Sequence, residues 1–242
     1  MRRQAPRTLV TSAALALLAA LAAPWAAPAQ EAAPPRALRI AVDLSSQVEG
    51  AAEQPNSLHY YVWERLHHFG VRADSRRPVG DARYDGYIAK MDQKWAQREP
   101  EAPAATLVVS GAASCEYATA EFFGQPQAHN FSGRLEVAVK DEAGAALATI
   151  AYGHSWGRLP ARYTKSQTLR EYQDMVATTL VIAILSHERV RAGLAADKRA
   201  AAKTWCDEQR ARILKPLEEN MGDCDIAKLL RGLAEADAPA KD

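Results

Sequence analysis

No block of basic residues occurs anywhere in the 242-residue chain, which carries 30 Lys and Arg against 29 Asp and Glu. An even balance without a basic stripe excludes the electrostatic footprint that nucleic-acid binding needs. Motifs that announce chemistry are also missing. There is no G-x-S-x-G to present a serine nucleophile, no G-x-x-x-x-G-K-[ST] to cradle phosphates, and no G-x-G-x-x-G opening a helix. Cysteine is scarce: Cys115, Cys206 and Cys224 allow at most one internal disulfide and leave one thiol over. Beyond the amino terminus no apolar run is long and charge-free enough to span a bilayer, for which about 20 residues are needed.

The amino terminus is what remains most telling. Arg2, Arg3 and Arg7 form a basic n-region, Leu9 to Ala23 is an Ala/Leu-rich stretch, and Pro24 ends it. Ala27-Pro28-Ala29 is a small-x-small cleavage pattern, so residues 1–29 read as a signal peptide and Gln30 as the mature start. The rival reading is a retained anchor, disfavoured by the shortness of the stretch, its weakly hydrophobic alanines and its proline. No cysteine stands near the cleavage site to take a lipid. Cleavage removes three arginines and no acid, leaving 27 basic and 29 acidic residues, a net of −2. The expected product is a periplasmic or secreted protein with no transmembrane span after cleavage.

Residues 30–37, "QEAAPPRA", form a lead-in, and "LRIAVDL" alternates as a half-buried strand. A loop "SSQVEGAAEQPN" precedes a helix with Leu58, Val62, Leu66 and Phe69 on one face, capped by Asn56 or Ser57 and closed by Gly70. "VRAD" reads as a short strand, and Asp81 to about Arg98 as a second helix. "ATLVVSGAASCEYATAEF" is the strongest strand, with Gly111 as a bulge or close-approach point. "RLEVAVKDEAGAALATIAY" is a hairpin turning at Asp141 to Gly144. From Leu169 to Val190 apolar residues step by three or four, a long amphipathic helix burying one side. Two helical runs, Asp197–Asn220 and Asp225–Ala234, and a frayed tail follow. The expectation is α+β: a mixed sheet with a C-terminal antiparallel hairpin packed by helices over 38–192, then a helical extension over 193–242.

Candidate chemistry is sparse. Cys115 shares the phase of Leu107 and Val109 in mid-strand and precedes Glu116, whose charge would raise a thiol pKa. It reads as packing rather than as a nucleophile. His67 and His68 are adjacent and diverge by about 100° on a helix, and "SHERV" lacks the second His of a zinc-protease motif, so neither a metal nor any cofactor is expected. Pairing of Cys206 with Cys224 depends on Pro216. An unbroken helix to Asn220 would carry the chain about 21 Å away, of which four residues recover about 13 Å, whereas a break at Pro216 would let them meet. Aromatics cluster at Tyr60, Tyr61 and Trp63, and at Tyr152 and Trp156, most simply as cover for the core. The segment from Phe122 to Phe131 reads as a polar loop joining two strands. Phe122, Phe123, Gln125, His129 and Phe131 are therefore the expected partner-binding residues.

The element order, with "ATLVVSGAAS" and the hairpin "RLEVAVKDEAGAALATIAYG" before a long helix, resembles a group of periplasmic modules. These are found in the curli-secretion channel lipoprotein, the TolB amino-terminal domain and outer-membrane activators of penicillin-binding proteins. Ala105, Val108, Val109 and Gly111 match that group's strand start, Thr106 stands where Asp is usual, and Asp141 and Gly144 match its hairpin turn. The resemblance covers about residues 38 to 190 and implies a non-enzymatic assembly module of the bacterial envelope with a protein partner. Two other readings stay open. One is a thiol- or metal-dependent hydrolase using Cys115 or His129. The other is a small-ligand carrier with an apolar cavity between sheet and long helix.

Overall fold

Alternation of Ile40, Val42 and Leu44 with more polar neighbours makes β1 (Arg39–Val48), and all three side chains are fully buried. The computed structural model describes residues 38–48, 56–98, 107–122, 125–158, 164–220 and 224–237. The signal segment and the lead-in to residue 37 lie outside them. After β1 come α1 (Ser57–His68), β2 (Arg72–Ser75), α2 (Ala82–Arg98), β3 (Leu107–Phe122), β4 (Gln125–Asp141), β5 (Ala146–Arg158), α3 (Lys165–Ser186), α4 (Glu188–Gly193), α5 (Ala196–Asn220) and α6 (Asp225–Asp237). The fold is α+β, as expected.

The strands form one mixed sheet in the order β2-β1-β3-β4-β5, with β2 and β3 parallel to β1 and the last three strands antiparallel. One face is closed. Leu107, Val109, Ala113 and Cys115 of β3, Phe131, Leu135, Val137 and Val139 of β4, and Ile150, Tyr152 and His154 of β5 are buried there. On the other face Ala112, Ser114, Glu116, Arg134, Glu136 and Ala151 are exposed. A period of two with one solvated side is the ordinary behaviour of antiparallel strands.

Local caps set the helices. Asn56 caps α1 by accepting the N–H of His59 at 3.4 Å, and its own amide donates to the Leu44 carbonyl at 2.6 Å, tying the helix start to β1. Trp63 donates to the Ala73 carbonyl at 2.9 Å, which fixes α1 on β2. Thr164 and Gln167 form a reciprocal capping box at the start of α3. Gly144 takes φ +84° in the β4–β5 turn, where Asp141 accepts the N–H groups of Ala143 and Ala145.

Two expectations change. β1 runs on through Ser45, Ser46 and Gln47 to Val48, because its backbone continues to pair with β3. Helix α3 is not amphipathic but is buried around its whole circumference from Met175 to Leu185, Thr178 and Thr179 included. Strands β4 and β5 cover one side, and α1, α4, α5 and α6 cover the rest. The helices after Gly193 thus complete the core: Ala202, Cys206, Ile213, Leu217, Ile226 and Leu230 belong to the same cluster as the sheet residues. No helix among the described residues is long and apolar enough to cross a membrane.

Candidate partner-docking arm

Strand β1 ends opposite Cys115, at the pair Val48↔Cys115. From Glu116 to Phe122, β3 pairs with β4 alone among the described residues. These residues continue the ladder to Phe122↔Gln125, with one irregularity between Ala120 and Glu121. At about 3.3 Å per residue the one-sided stretch is some 20 Å long. Strand β5 supports the other side of β4 as far as His129↔Arg158. The connection expected to be a loop from Phe122 to Phe131 is therefore strand almost throughout. Its Gly, Pro and polar composition is overridden by backbone pairing with Tyr117 to Phe122.

By register three ladder rows follow one another toward the arm: Cys115–Gly133–His154, then Tyr117–Phe131–Trp156, then Thr119–His129–Arg158. Phe131 is fully buried, 5.0 Å from the ring of Tyr117 and 5.7 Å from that of Tyr172. It anchors the arm to the core. Tyr117 is half-buried, its hydroxyl 2.8 Å from His129 Nδ1, and the Lys165 ammonium sits 3.8 Å from its ring centroid. Trp156 donates Nε1–H to Glu171 at 3.2 Å. Phe122 and Gln125 pair through backbone at the arm's end, while Phe123 lies outside the described residues. The arm thus brings His129 and Phe131 together but gives them different work. Sequence reasoning missed Tyr117 and Lys165. Tyr117 was legible in the phase of Cys115, whereas nothing local marks Lys165, which reaches Tyr117 only through the docking of α3.

Below the arm lies a polar cluster. Tyr172 of α3 hydrogen-bonds His154 Nδ1 and lies beside the Cys115 thiol, which donates to the Glu116 carbonyl at 3.8 Å. Burial, then the charge of Glu116, pushes the Cys115 thiol above its ordinary range, with only partial relief from the neighbouring Tyr172 hydroxyl. Burial likewise lowers His154 to about 4, and its Nε2 has no partner among the described residues. Raised rather than depressed, this thiol is the opposite of a catalytic nucleophile. His129 and Cys115 are not brought together, since Tyr117 lies between their rows. Between sheet and α3 the free space beside Cys115, His154 and Tyr172 is about 20 Å³, enough for one water. It cannot serve as a carrier cavity.

Other histidines are held structurally. The N–H of Leu44 donates to His59 Nδ1 at 3.3 Å while its Nε2 meets the Ser75 hydroxyl at 2.7 Å, and burial lowers it to about 4. His67 lies between the Ala73 carbonyl and Trp95 Nε1. Among the described residues no three His, Cys, Asp or Glu side chains converge as metal ligands. Cys206 and Cys224 are not joined by a disulfide. Helix α5 continues through Pro216 to Asn220, the unbroken geometry that opposes their pairing.

No family model matches the chain, and no curated protein matches it. Solved structures with partial likeness include a minor lipoprotein from Acinetobacter baumannii, at 9% identity, TM-score 0.37, covering 61% of this chain and 90% of that one. Rare lipoprotein B from Shewanella oneidensis is 17% identical at TM-score 0.29, over 69% and 96%. A lipoprotein from Neisseria meningitidis is 12% identical at TM-score 0.30, over 62% and 99%. None of these is described as a curli-secretion, TolB or penicillin-binding-protein activator. Likeness at this level assigns neither family nor function.

Proposed function

We propose that the protein is an exported, non-enzymatic binding module of the bacterial cell envelope, which docks a protein partner through the β3–β4 arm. The observation that carries this reading is that Glu116–Phe122 pairs with β4 alone among the described residues. A strand paired on one side offers backbone donors and acceptors to a partner strand, with affinity from main-chain bonds and selectivity from alternate side chains. Tyr117, His129, Phe131 and Lys165 stiffen the base of the arm, so little order has to be gained on binding. The signal pattern over residues 1–29 supports delivery to the envelope.

A photo-crosslinking residue placed at Ala118, exposed on the arm, should give one discrete adduct in the envelope of the native host. The same residue at Lys228, exposed on α6, should give none. Adducts of equal yield at both positions, or none at Ala118, would overturn docking through the arm.

A further inference from the structure

We propose that a second site, distant in sequence from the arm and independent of its function, binds a single-chain alkyl carboxylate. Where the end of α3, α4 and the first half of α5 meet, they enclose a cavity of about 370 Å³. Ligand sites of this kind run from roughly 300 to 1,000 Å³, so the space suits one short chain and not a multi-chain lipid. Its floor is apolar and closed: Leu185, Leu194, Ala202 and Cys206 are each no more than 5% exposed.

Its mouth is cationic. Arg191, Arg199 and Lys203 line it, and no carboxylate is among the described lining residues. Lys203 also meets Asp207 at 2.8 Å, and Arg199 donates to the Leu194 carbonyl at 3.1 Å, so two of these cations are already oriented on the rim. With Asp207 set against Lys203, Arg191 and Arg199 still leave the rim net positive, and an apolar floor under such a rim is complementary to an anionic amphiphile. A carboxylate accepts charge-assisted hydrogen bonds from guanidinium in paired geometry.

The test is fluorescence titration of the mature full-length protein with 11-(dansylamino)undecanoate, followed by displacement. The expected result is saturable one-to-one binding with blue-shifted emission. Decanoate should displace the probe at least tenfold more effectively than decanol or decyltrimethylammonium. Combining Arg199→Glu with Lys203→Gln should weaken binding tenfold or more. Ala200→Phe, which fills the mouth from an exposed position and leaves every charge in place, should do the same. Equal displacement by the three head groups, or unchanged affinity in either folded variant, would overturn the site. So would absence of saturable binding alongside flotation with phosphatidylglycerol vesicles, which would assign the cations to a membrane surface. Binding by purified protein needs no partner, so this result and the crosslinking result stand or fall separately.

Discussion

Tyr172, on α3, hydrogen-bonds Nδ1 of His154, on β5, across the closed face of the sheet. The contact exists because of a missing side chain. Gly133 stands between Cys115 and His154 in the ladder, and a Cβ there would lie 1.8 Å from the Ser114 carbonyl oxygen and 2.9 Å from the His154 ring. Gly133→Ala should therefore cost about 1–3 kcal/mol or more, the usual range for overpacking. Gly232→Ala, in helix α6 with open space at its Cβ, should instead gain about 0.5–1 kcal/mol. Urea denaturation of the two variants checks both signs.

Acid should destabilise the fold through two imidazoles. His59 and His154 are both lowered to about 4 by burial, from an unfolded value near 6.5. Charges around His59 pull both ways: Asp43 and Asp85 raise it, Arg77 lowers it. Between those pH values the unfolded chain binds more protons, so stability is complete above about pH 6.5 and declines as pH falls toward 4. The loss is on the order of 3 kcal/mol per residue. Asp92 acts in the opposite sense. Burial first, then the charge of Asp74, raises it to about 6, so protonation below that pH relieves a penalty. Asp92→Asn should raise stability at neutral pH and steepen the acid decline. Thermal melts from pH 7.5 to 4 would show both effects, and a flat profile would contradict the buried neutral histidines.

Thiol accessibility follows burial. Cys115 and Cys206 are 6% and 5% exposed, and Cys224 is half-buried. In the native protein Cys224 should react first, with Cys115 protected until unfolding. After denaturation without reductant all three should titrate. Rapid native labelling of Cys115 near neutral pH would reopen the thiol-enzyme reading, and recovery of a single thiol would place a disulfide in the folded protein.

Hydrogen exchange should divide β3 in two. Leu107–Cys115 lies between β1 and β4, whereas Glu116–Phe122 pairs with β4 alone among the described residues. Amides of the second stretch should exchange faster, because opening it breaks fewer bonds and exposes less apolar surface. Tyr117→Phe removes the bond to His129 and should accelerate exchange there further, at a cost of about 0.5–1.5 kcal/mol. A partner engaging the arm should reverse the difference.

A core substitution marks the central helix. Leu180 is fully buried on α3, and Leu180→Ala should cost about 2–5 kcal/mol, measured by denaturant unfolding. A helix with one solvated side would have exposed positions where such a change is nearly neutral. From Met175 to Leu185 this one has none.

Much of the architecture was legible because it rests on local periodicity. Ile40, Val42 and Leu44 alternate, Leu58, Val62 and Leu66 step by helical turns, and Asp141 with Gly144 carries the chemistry of a turn. These features depend only on neighbours along the chain. Pairing and enclosure were not legible. Gln125 to Asn130 has the composition of a loop, yet antiparallel pairing with β3 makes it strand. Thr168, Gln173, Thr178 and Thr179 are polar positions that a sequence reading would leave to solvent, yet all four are buried in α3. Cys115, His154 and Tyr172 are scattered in sequence, and only strand register, with Gly133 leaving room, brings them together. Local pattern alone determined which segments would be helix or strand, because backbone geometry sets the period of the side chains. Which faces are buried, and which residues meet, was decided by non-local packing, where burial of apolar area and backbone pairing outweigh the propensity of any short stretch.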